Sequence, residues 1–211
     1  TECTSSNSEF ICGSIRTLCN NLDSLPYTQT FESAATGGTT SAVFVDCLTR
    51  LNNGTQYFGW PYVSATASYN HTPNGTKGLY WLNSATAGTY GDYQYVVMPG
   101  IDTDQYEMNT LQFKFWARAT GTSYHPVFQV GVMTDPHDYT TFQLVESVNV
   151  EGTTYTEYTV TLGAFEGNGN YIALRALRPG SSWYATVDDL TIEIMPNCPP
   201  IVDIDVTATA G

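Results

Sequence analysis

The stretch LQFKFWAR at residues 111–118 decides the fold, because apolar and polar side chains alternate along it. Successive side chains of a β-strand point to opposite faces, so a period of two predicts a strand with one buried face. An amphipathic helix would instead repeat its apolar residues every three or four positions. One face of the stretch carries Leu111, Phe113, Phe115 and Ala117, and the other carries Gln112, Lys114, Trp116 and Arg118.

The same alternation recurs along the rest of the chain, with turn residues between the repeats. β-branched and aromatic residues dominate these segments, and no amphipathic helix of useful length separates them. Strands of this kind, joined by Pro-Gly, Asp-Pro and Gly-Asn turns, predict an all-β fold, namely an antiparallel jelly-roll β-sandwich. The other alternating segments are 128–132, 158–162, 172–174 and 190–194.

Composition and charge limit the partners of the chain. The 211 residues include 7 Lys+Arg and 20 Asp+Glu, which gives a formal net charge of −13, and 42% are hydrophobic. Phosphate binding needs a basic surface, so nucleic acid and anionic membrane surfaces are disfavoured as partners. No run approaches the length of about 18 apolar residues that a membrane-spanning helix needs, so direct membrane insertion is not expected.

Changes in composition divide the chain into three regions. Residues 1–22 are rich in Ser, Asn and Cys and have the character of a linker or the tail of a preceding module. Residues 23–196 carry the strand pattern of the predicted sandwich domain. Residues 197–211 follow a proline-flanked junction and alternate again, as an edge strand or the start of a following domain would. We therefore expect one domain of a longer protein, with neighbouring domains of the same polypeptide as partners.

The cysteines do not form a metal-binding pattern. None belongs to a CxxC pair and no histidine stands at ligand spacing, so a zinc site is not expected. Their concentration near the two ends suits disulfides that tie down the termini of a secreted chain. Because their number is odd, at least one thiol stays unpaired within the chain, and Cys47, in an apolar stretch, is the best candidate for a buried free thiol. The five are Cys3, Cys12, Cys19, Cys47 and Cys198.

Five segments occur in a recognisable order: LPYTQTFE at 25–32, LQFKFWAR at 111–118, VGVMTDP at 130–136, YIALR at 171–175 and VDDLTI at 187–192. Over residues 23–198 the chain resembles the choice-of-anchor J domain of Bacteroidetes surface proteins, a relative of the cleaved adhesin domains of gingipains and, more distantly, of the MAM domain. One departure is Leu48, where family members often have Trp directly after the cysteine. The resemblance implies a jelly-roll sandwich that acts as a non-catalytic module of secreted or surface-anchored proteins.

The pair Asp188-Asp189 is the most informative chemical feature. Leu190, Ile192 and Ile194 define the inward-facing positions of the last strand, and Asp188 shares their parity. A carboxylate that points into a core is costly unless a cation or several hydrogen-bond donors meet it. Without a metal, Asp188 would begin the strand at a bulge and accept backbone N–H bonds.

The resemblance implies a structural calcium ion at this pair. In the cleaved adhesins the Glu of the first Phe-Glu strand and an Asp of the late Asp-Asp pair bind calcium. Carried over to the matching positions, this gives Glu32 and Asp188 as ligands, with Asp189 as a further one. Hard carboxylate oxygens from distant loops suit calcium.

An enzyme is not expected. A glycoside hydrolase needs two carboxylates that flank a cleft, but Glu157 falls on the outward face of its strand and the other available glutamates lie near turns. The cluster at 135–138, Asp-Pro-His-Asp, has the composition of a turn whose aspartates cap their own backbone. A nucleophile elbow, HExxH and a P-loop are all absent from the sequence.

The expected function is adhesion or ligand binding, with a glycan or a host or cell-surface protein as the partner. A carbohydrate-binding module is the alternative, because aromatic rings stack on the apolar faces of sugars. A structural spacer domain is a second alternative. Trp81 and Trp116 are expected to pack on the sandwich, whereas the aromatic residues near loops are glycan-binding candidates: Trp60, Tyr62, Trp183 and Tyr184.

Overall fold

The computed structural model describes residues 19–38, 44–54, 61–83, 92–177 and 182–196. Within these ranges the chain forms two antiparallel sheets of six and five strands. The helical segments in the same ranges are three short 3-10 turns, none of which is long and apolar enough to cross a bilayer. The protein is an all-β jelly-roll sandwich, which confirms the fold predicted from the alternation.

Eleven strands build the two sheets in the described ranges. They are β1 (Tyr27–Gln29), β2 (Thr49–Asn52), β3 (Tyr62–Ser64), β4 (Gly78–Asn83), β5 (Tyr93–Val97), β6 (Leu111–Ala119), β7 (Val127–Met133), β8 (Gln143–Asn149), β9 (Thr156–Thr161), β10 (Tyr171–Leu177) and β11 (Trp183–Ile194). The six-stranded sheet has the order β3-β4-β11-β6-β9, and β1 pairs with the second half of β11. The five-stranded sheet has the order β2-β5-β10-β7-β8.

The core lies between the inner faces of the two sheets. Phe115 of β6 and Trp81 of β4 contact Phe128 of β7 edge to face, with ring centroids 6.1 and 5.0 Å apart. All three rings are fully buried, and burying a side chain of this kind stabilises the fold by about 1.5–3 kcal/mol. Trp81 therefore packs in the core, as the sequence predicted.

A bulge in β11 changes which side chains face the core. Its pairing with β6 shifts register just after Asp188, and Asp189 has a left-handed φ of 49°. An extra residue in a strand reverses the alternation beyond it. Leu190 is buried in the core, Ile194 at the strand end is 54% exposed, and Asp188 lies opposite Trp116 on the outer face. The prediction that Asp188 points into the core was therefore wrong.

Cys47 is not a buried free thiol. It forms a disulfide with Cys19, with 5.4 Å between the two Cα atoms, and both residues are exposed. Cys47 lies in a surface turn with a φ of 65° rather than in a strand, so its sulfur is accessible to the N-terminal segment. Cys3, Cys12 and Cys198 lie outside the described residues.

The described chain contacts the sandwich from its first few residues. Leu22 pairs with Ile101, donates its N–H to the Gly100 carbonyl at 2.7 Å and packs against the core. Residues 1–18 and 197–211 lie outside the described ranges. The linker and the C-terminal segment proposed for the two ends stay predictions, as do the domain boundaries.

Candidate functional site

A turn at residues 70–77 covers part of the outer face of the six-stranded sheet, and Glu32 holds one end of it. The Glu32 carboxylate accepts the backbone N–H groups of Thr76 and Lys77, each at 2.9 Å, and the Asn70 amide at 3.1 Å. Burial alone would raise the pKa of Glu32, but the bonds from Lys77 and Thr76 hold it below the ordinary value. Gly75 permits this approach, because a Cβ there would come within 2.5 Å of the Glu32 carboxylate.

Asp188 holds the other end of the turn. Its Oδ2 accepts the backbone N–H groups of His71 at 2.7 Å and Thr72 at 3.2 Å, and its Oδ1 accepts that of Asp189 at 2.8 Å. The residue is fully buried beneath the turn. This burial raises the pKa of Asp188 to about 6, although the three backbone bonds act in the opposite direction.

Asp189 and Trp116 position the histidine of the turn. The Asp189 carboxylate lies 2.7 Å from His71 Nδ1 and accepts the Thr72 hydroxyl at 2.6 Å. The His71 ring stacks on Trp116 with 3.9 Å between centroids and 13° between the planes. The turn is therefore fixed to the sheet by carboxylates from two distant parts of the chain and by one aromatic stack.

The three predicted calcium ligands reach this one turn but do not form a cage for a cation. The oxygens of Glu32 and Asp188 already accept N–H donors. In the described ranges no three His, Cys, Asp or Glu side chains stand together so as to hold a metal ion. The contacts of Asp188 are those of a bulge residue that accepts backbone N–H bonds. Calcium binding at Glu32, Asp188 and Asp189 stays a prediction from the resemblance.

Five tyrosines form a continuous row on the same outer face, which we call the tyrosine row. Tyr80 of β4 stacks on Tyr69 at 4.4 Å and contacts Tyr62 at 5.7 Å and Tyr184 at 5.8 Å, measured between ring centroids. Tyr184 in turn lies 5.4 Å from Tyr124. All five are half-buried, so each ring keeps part of its surface in contact with solvent. Burial and the neighbouring phenols raise the pKa of Tyr80, so its hydroxyl stays neutral.

Two of the four predicted glycan-binding residues lie in the tyrosine row. Tyr62 and Tyr184 meet through Tyr80, because all three alternate with buried residues on β3, β4 and β11. Trp183 was wrongly predicted as a binding residue: it faces inward, is 1% exposed and contacts Phe128 at 5.4 Å. Trp60 lies outside the described residues.

Sequence reasoning missed three members of the row. Tyr80 stands in the apolar run LYWL at 79–82, which hides its outward position. Tyr69 and Tyr124 come from a 3-10 turn and a loop, where no strand period applies. For Tyr80 the available signal was parity, since it directly precedes Trp81, which is buried.

The other carboxylates that suggested chemistry have structural partners. The Asp135 side chain accepts the His137 N–H at 2.8 Å, and that of Asp138 accepts the Thr140 N–H at 2.9 Å, which confirms the predicted turn. Glu157 is exposed on the outer face and pairs with Lys114 at 3.3 Å. These carboxylates cap turns or form a surface ion pair.

No family model matches the chain, and no curated protein matches its sequence. Among solved structures, the K2 cleaved adhesin domain of Lys-gingipain is similar, with a TM-score of 0.58 at 13% identity over 81% of this chain and 100% of that domain. The K1 domain from Porphyromonas gingivalis W83 gives 0.56 at 16% identity over 82% and 100%. The K3 domain from the same organism gives 0.50 at 12% identity over 79% and 97%. The chain thus has the sandwich fold of these adhesin domains.

Proposed function

We propose that this chain is a non-catalytic ligand-binding module of a secreted or cell-surface multidomain protein and that the tyrosine row binds a glycan. The observation that carries the proposal is the contact of five half-buried rings on one sheet face. An aromatic row of this kind favours binding over a spacer role, for which a uniformly polar surface would be expected.

A neutral glycan suits the chemistry of the row. Phenol rings offer apolar faces for sugar rings and hydroxyl groups for hydrogen bonds. The row contains no charged residue and the chain as a whole carries −13, so charge disfavours an anionic glycan and does not oppose an uncharged one. A glycan on a host or cell surface would give an adhesive module.

Two further observations agree with the proposal. The Cys19–Cys47 disulfide is typical of chains that mature in oxidising, extracellular compartments. Two solved structures with the same fold are named adhesin domains. At their low sequence identity to this chain, the similarity is one of fold. A protein partner is the competing occupant of the row, and the experiment below separates the two.

The test is a glycan array probed with the labelled chain, followed by titration of the strongest hit. We expect Tyr184→Ala to weaken binding about tenfold, because a lost aromatic contact of about 1.4 kcal/mol corresponds to that factor. Tyr184→Phe keeps the ring and should retain most of the affinity. Tyr171→Ala is the matched control, since Tyr171 is also half-buried but belongs to the five-stranded sheet.

Two results would contradict the proposal. An array without any hit, with the chain shown to be folded by circular dichroism, excludes a glycan ligand and leaves a protein partner. A hit whose affinity is the same for Tyr184→Ala and the native chain excludes the tyrosine row as the site.

Calcium is a separate question with its own experiment. The resemblance predicts that calcium raises the melting temperature and that EDTA lowers it. A melting temperature unchanged by either addition would contradict a structural ion at Asp188 and leave the backbone N–H donors as its partners.

A further inference from the structure

Three Asn-Gly pairs, at 53–54, 74–75 and 168–169, are sites where an asparagine side chain can react with its own backbone. Glycine lacks a Cβ, so the following nitrogen can approach the side-chain carbonyl carbon closely. The reaction also needs this backbone N–H to be without a strong acceptor, since a hydrogen bond holds its proton and its position. The three pairs have the same sequence and differ in these surroundings.

Two of the pairs are held by hydrogen bonds at the reacting groups. The side-chain oxygen of Asn53 accepts the Tyr93 N–H at 2.9 Å, and the Gly54 N–H donates to the side-chain oxygen of Asn52 at 2.9 Å. In the second pair the Gly75 N–H donates to the Thr72 carbonyl at 2.8 Å. That turn is the one fixed by Glu32 and Asp188.

The third pair has neither protection. Asn168 is exposed, and neither its side chain nor the Gly169 N–H has a hydrogen-bond partner among the described residues. The Gln143 amide donates to the Asn168 backbone carbonyl at 2.6 Å. This carbonyl belongs to the peptide unit whose nitrogen must lose its proton, so the donor stabilises the negative charge that develops there.

We propose that Asn168 is a site of spontaneous deamidation, the fastest of the three Asn-Gly pairs. The deprotonated Gly169 nitrogen attacks Asn168 Cγ, a new C–N bond closes a succinimide ring, and the side-chain nitrogen leaves as ammonia. Water then opens the ring at either carbonyl and leaves an aspartyl or an isoaspartyl linkage. Water is the single co-reactant, and no oxidant or reductant takes part.

The product would change the shallow cleft beside the pair. Phe165, Glu166 and Gly167 line it together with Glu107 from the opposite loop. A carboxylate at 168 adds a negative charge beside a cleft that two glutamates line, and the isoaspartyl form also lengthens the backbone by one atom. The modified chain therefore presents a more acidic cleft than the fresh chain.

The experiment is peptide mapping by mass spectrometry of the native chain, incubated in mildly alkaline buffer over a time series. We expect conversion at Asn168 to run severalfold ahead of conversion at Asn53 and Asn74. The same chain, reduced and unfolded in urea, is the control, because the three pairs should then react at similar rates. Gln143→Leu should slow the reaction at Asn168 in the folded chain.

Each alternative result has a definite meaning. Equal rates at the three sites in the folded chain, or a faster reaction at Asn53 or Asn74, would overturn the proposal. An unchanged rate in Gln143→Leu, with the variant shown to be folded, would overturn the part assigned to the Gln143 amide.

Discussion

At the scale of single residues, Asp188 shows how one inserted residue relocates a charge. The left-handed Asp189 adds a bulge, and the carboxylate before it is moved from the core side to the outer face beneath the turn at 70–77. Alternation in sequence defines a parity for each uninterrupted strand. It does not reveal where the parity changes, because the bulge depends on the left-handed conformation of one residue.

Asp188 should make the stability of the fold depend on pH. Its pKa is raised from an ordinary value of 3.8 to about 6, chiefly by burial. A carboxyl group with a raised pKa in the folded chain stabilises the fold while it is protonated, and this contribution is lost as the pH rises from about 4 to about 6. Asp188→Asn cannot ionise, so we expect its melting temperature to fall less than that of the native chain across this range.

The control for this prediction is Glu166→Gln, which removes an exposed carboxylate. Its melting temperature should follow the native pH curve, including the opposite contribution of Glu32, whose pKa is lowered. Circular dichroism at a series of pH values is the measurement. If the melting temperature of Asp188→Asn changes with pH as steeply as that of the native chain, Asp188 does not titrate in this window.

Gly78 should tolerate no side chain. A Cβ at this buried position would collide with the backbone carbonyl oxygen of Tyr69, which cannot rotate away as a side chain can. We expect Gly78→Ala to lower the free energy of unfolding by about 1–3 kcal/mol, as overpacking in a core does. Gly38→Ala is the control, with no atom within 4 Å of its Cβ. Urea denaturation measures the free energy of unfolding of both variants, and equal values for Gly78→Ala and Gly38→Ala would contradict the collision.

At the scale of strands and turns, alternation predicted five of the strands that have one face in the core. β6, β7, β9, β10 and the second half of β11 were all found in this way. β5 was missed because four of its five residues are buried and no period of two remains. Its outer face, with Tyr95 and Val97, is covered by a second apolar cluster that includes Phe142 and Tyr171, and such coverage by distant residues leaves no local signal.

The carboxylate site at the turn 70–77 could be predicted from the sequence to the same limited extent. The resemblance led to Glu32, Asp188 and Asp189, which all contact the turn at 70–77. The turn itself carries His71 and small polar residues without a recognisable spacing. Its role depends on contacts with residues more than 100 positions later in the chain, which no local pattern reveals.

Arg175 fastens the segment before β8 to the five-stranded sheet. Its guanidinium carbon lies 4.1 Å from the Tyr93 ring centroid and 3.9 Å from that of Phe142, and its Nε donates to Gln129 at 2.7 Å. Lysine has no planar group to fill this space. We expect Arg175→Lys to lower the free energy of unfolding by about 1–2 kcal/mol, measured by urea denaturation.

A double-mutant cycle with Phe142→Leu tests the physical cause. If the stacked contact is responsible, Arg175→Lys and Phe142→Leu should be non-additive, with a coupling of about 0.5 kcal/mol or more. Arg118→Lys combined with Phe142→Leu should be additive, because Arg118 belongs to the other sheet. If both cycles are additive, the stability lost in Arg175→Lys does not come from the contact between Arg175 and Phe142.

At the scale of the whole molecule, the disulfide fixes the N-terminal segment to the sandwich. Cys19 and Cys47 are separated by 28 positions, and closing a loop of this size in the unfolded chain corresponds to about 3.5 kcal/mol in the chain-entropy model. We expect the double variant Cys19→Ser/Cys47→Ser to lose about 2–4 kcal/mol of unfolding free energy. Urea denaturation of the oxidised native chain and the variant gives the difference, and equal stabilities would contradict this.

The position of β11 in the centre of its sheet has a consequence for the timing of folding. This strand is the last of the described chain, yet it separates β4 from β6 and also pairs with β1, where Thr28 meets Thr191 across 163 positions. The six-stranded sheet cannot close until a ribosome has released residue 194. Assembly is then limited by contacts between distant parts of the chain, which slow folding. This part of the polypeptide therefore stays open until residue 194 has left the ribosome, a state in which a translocation channel can accept it.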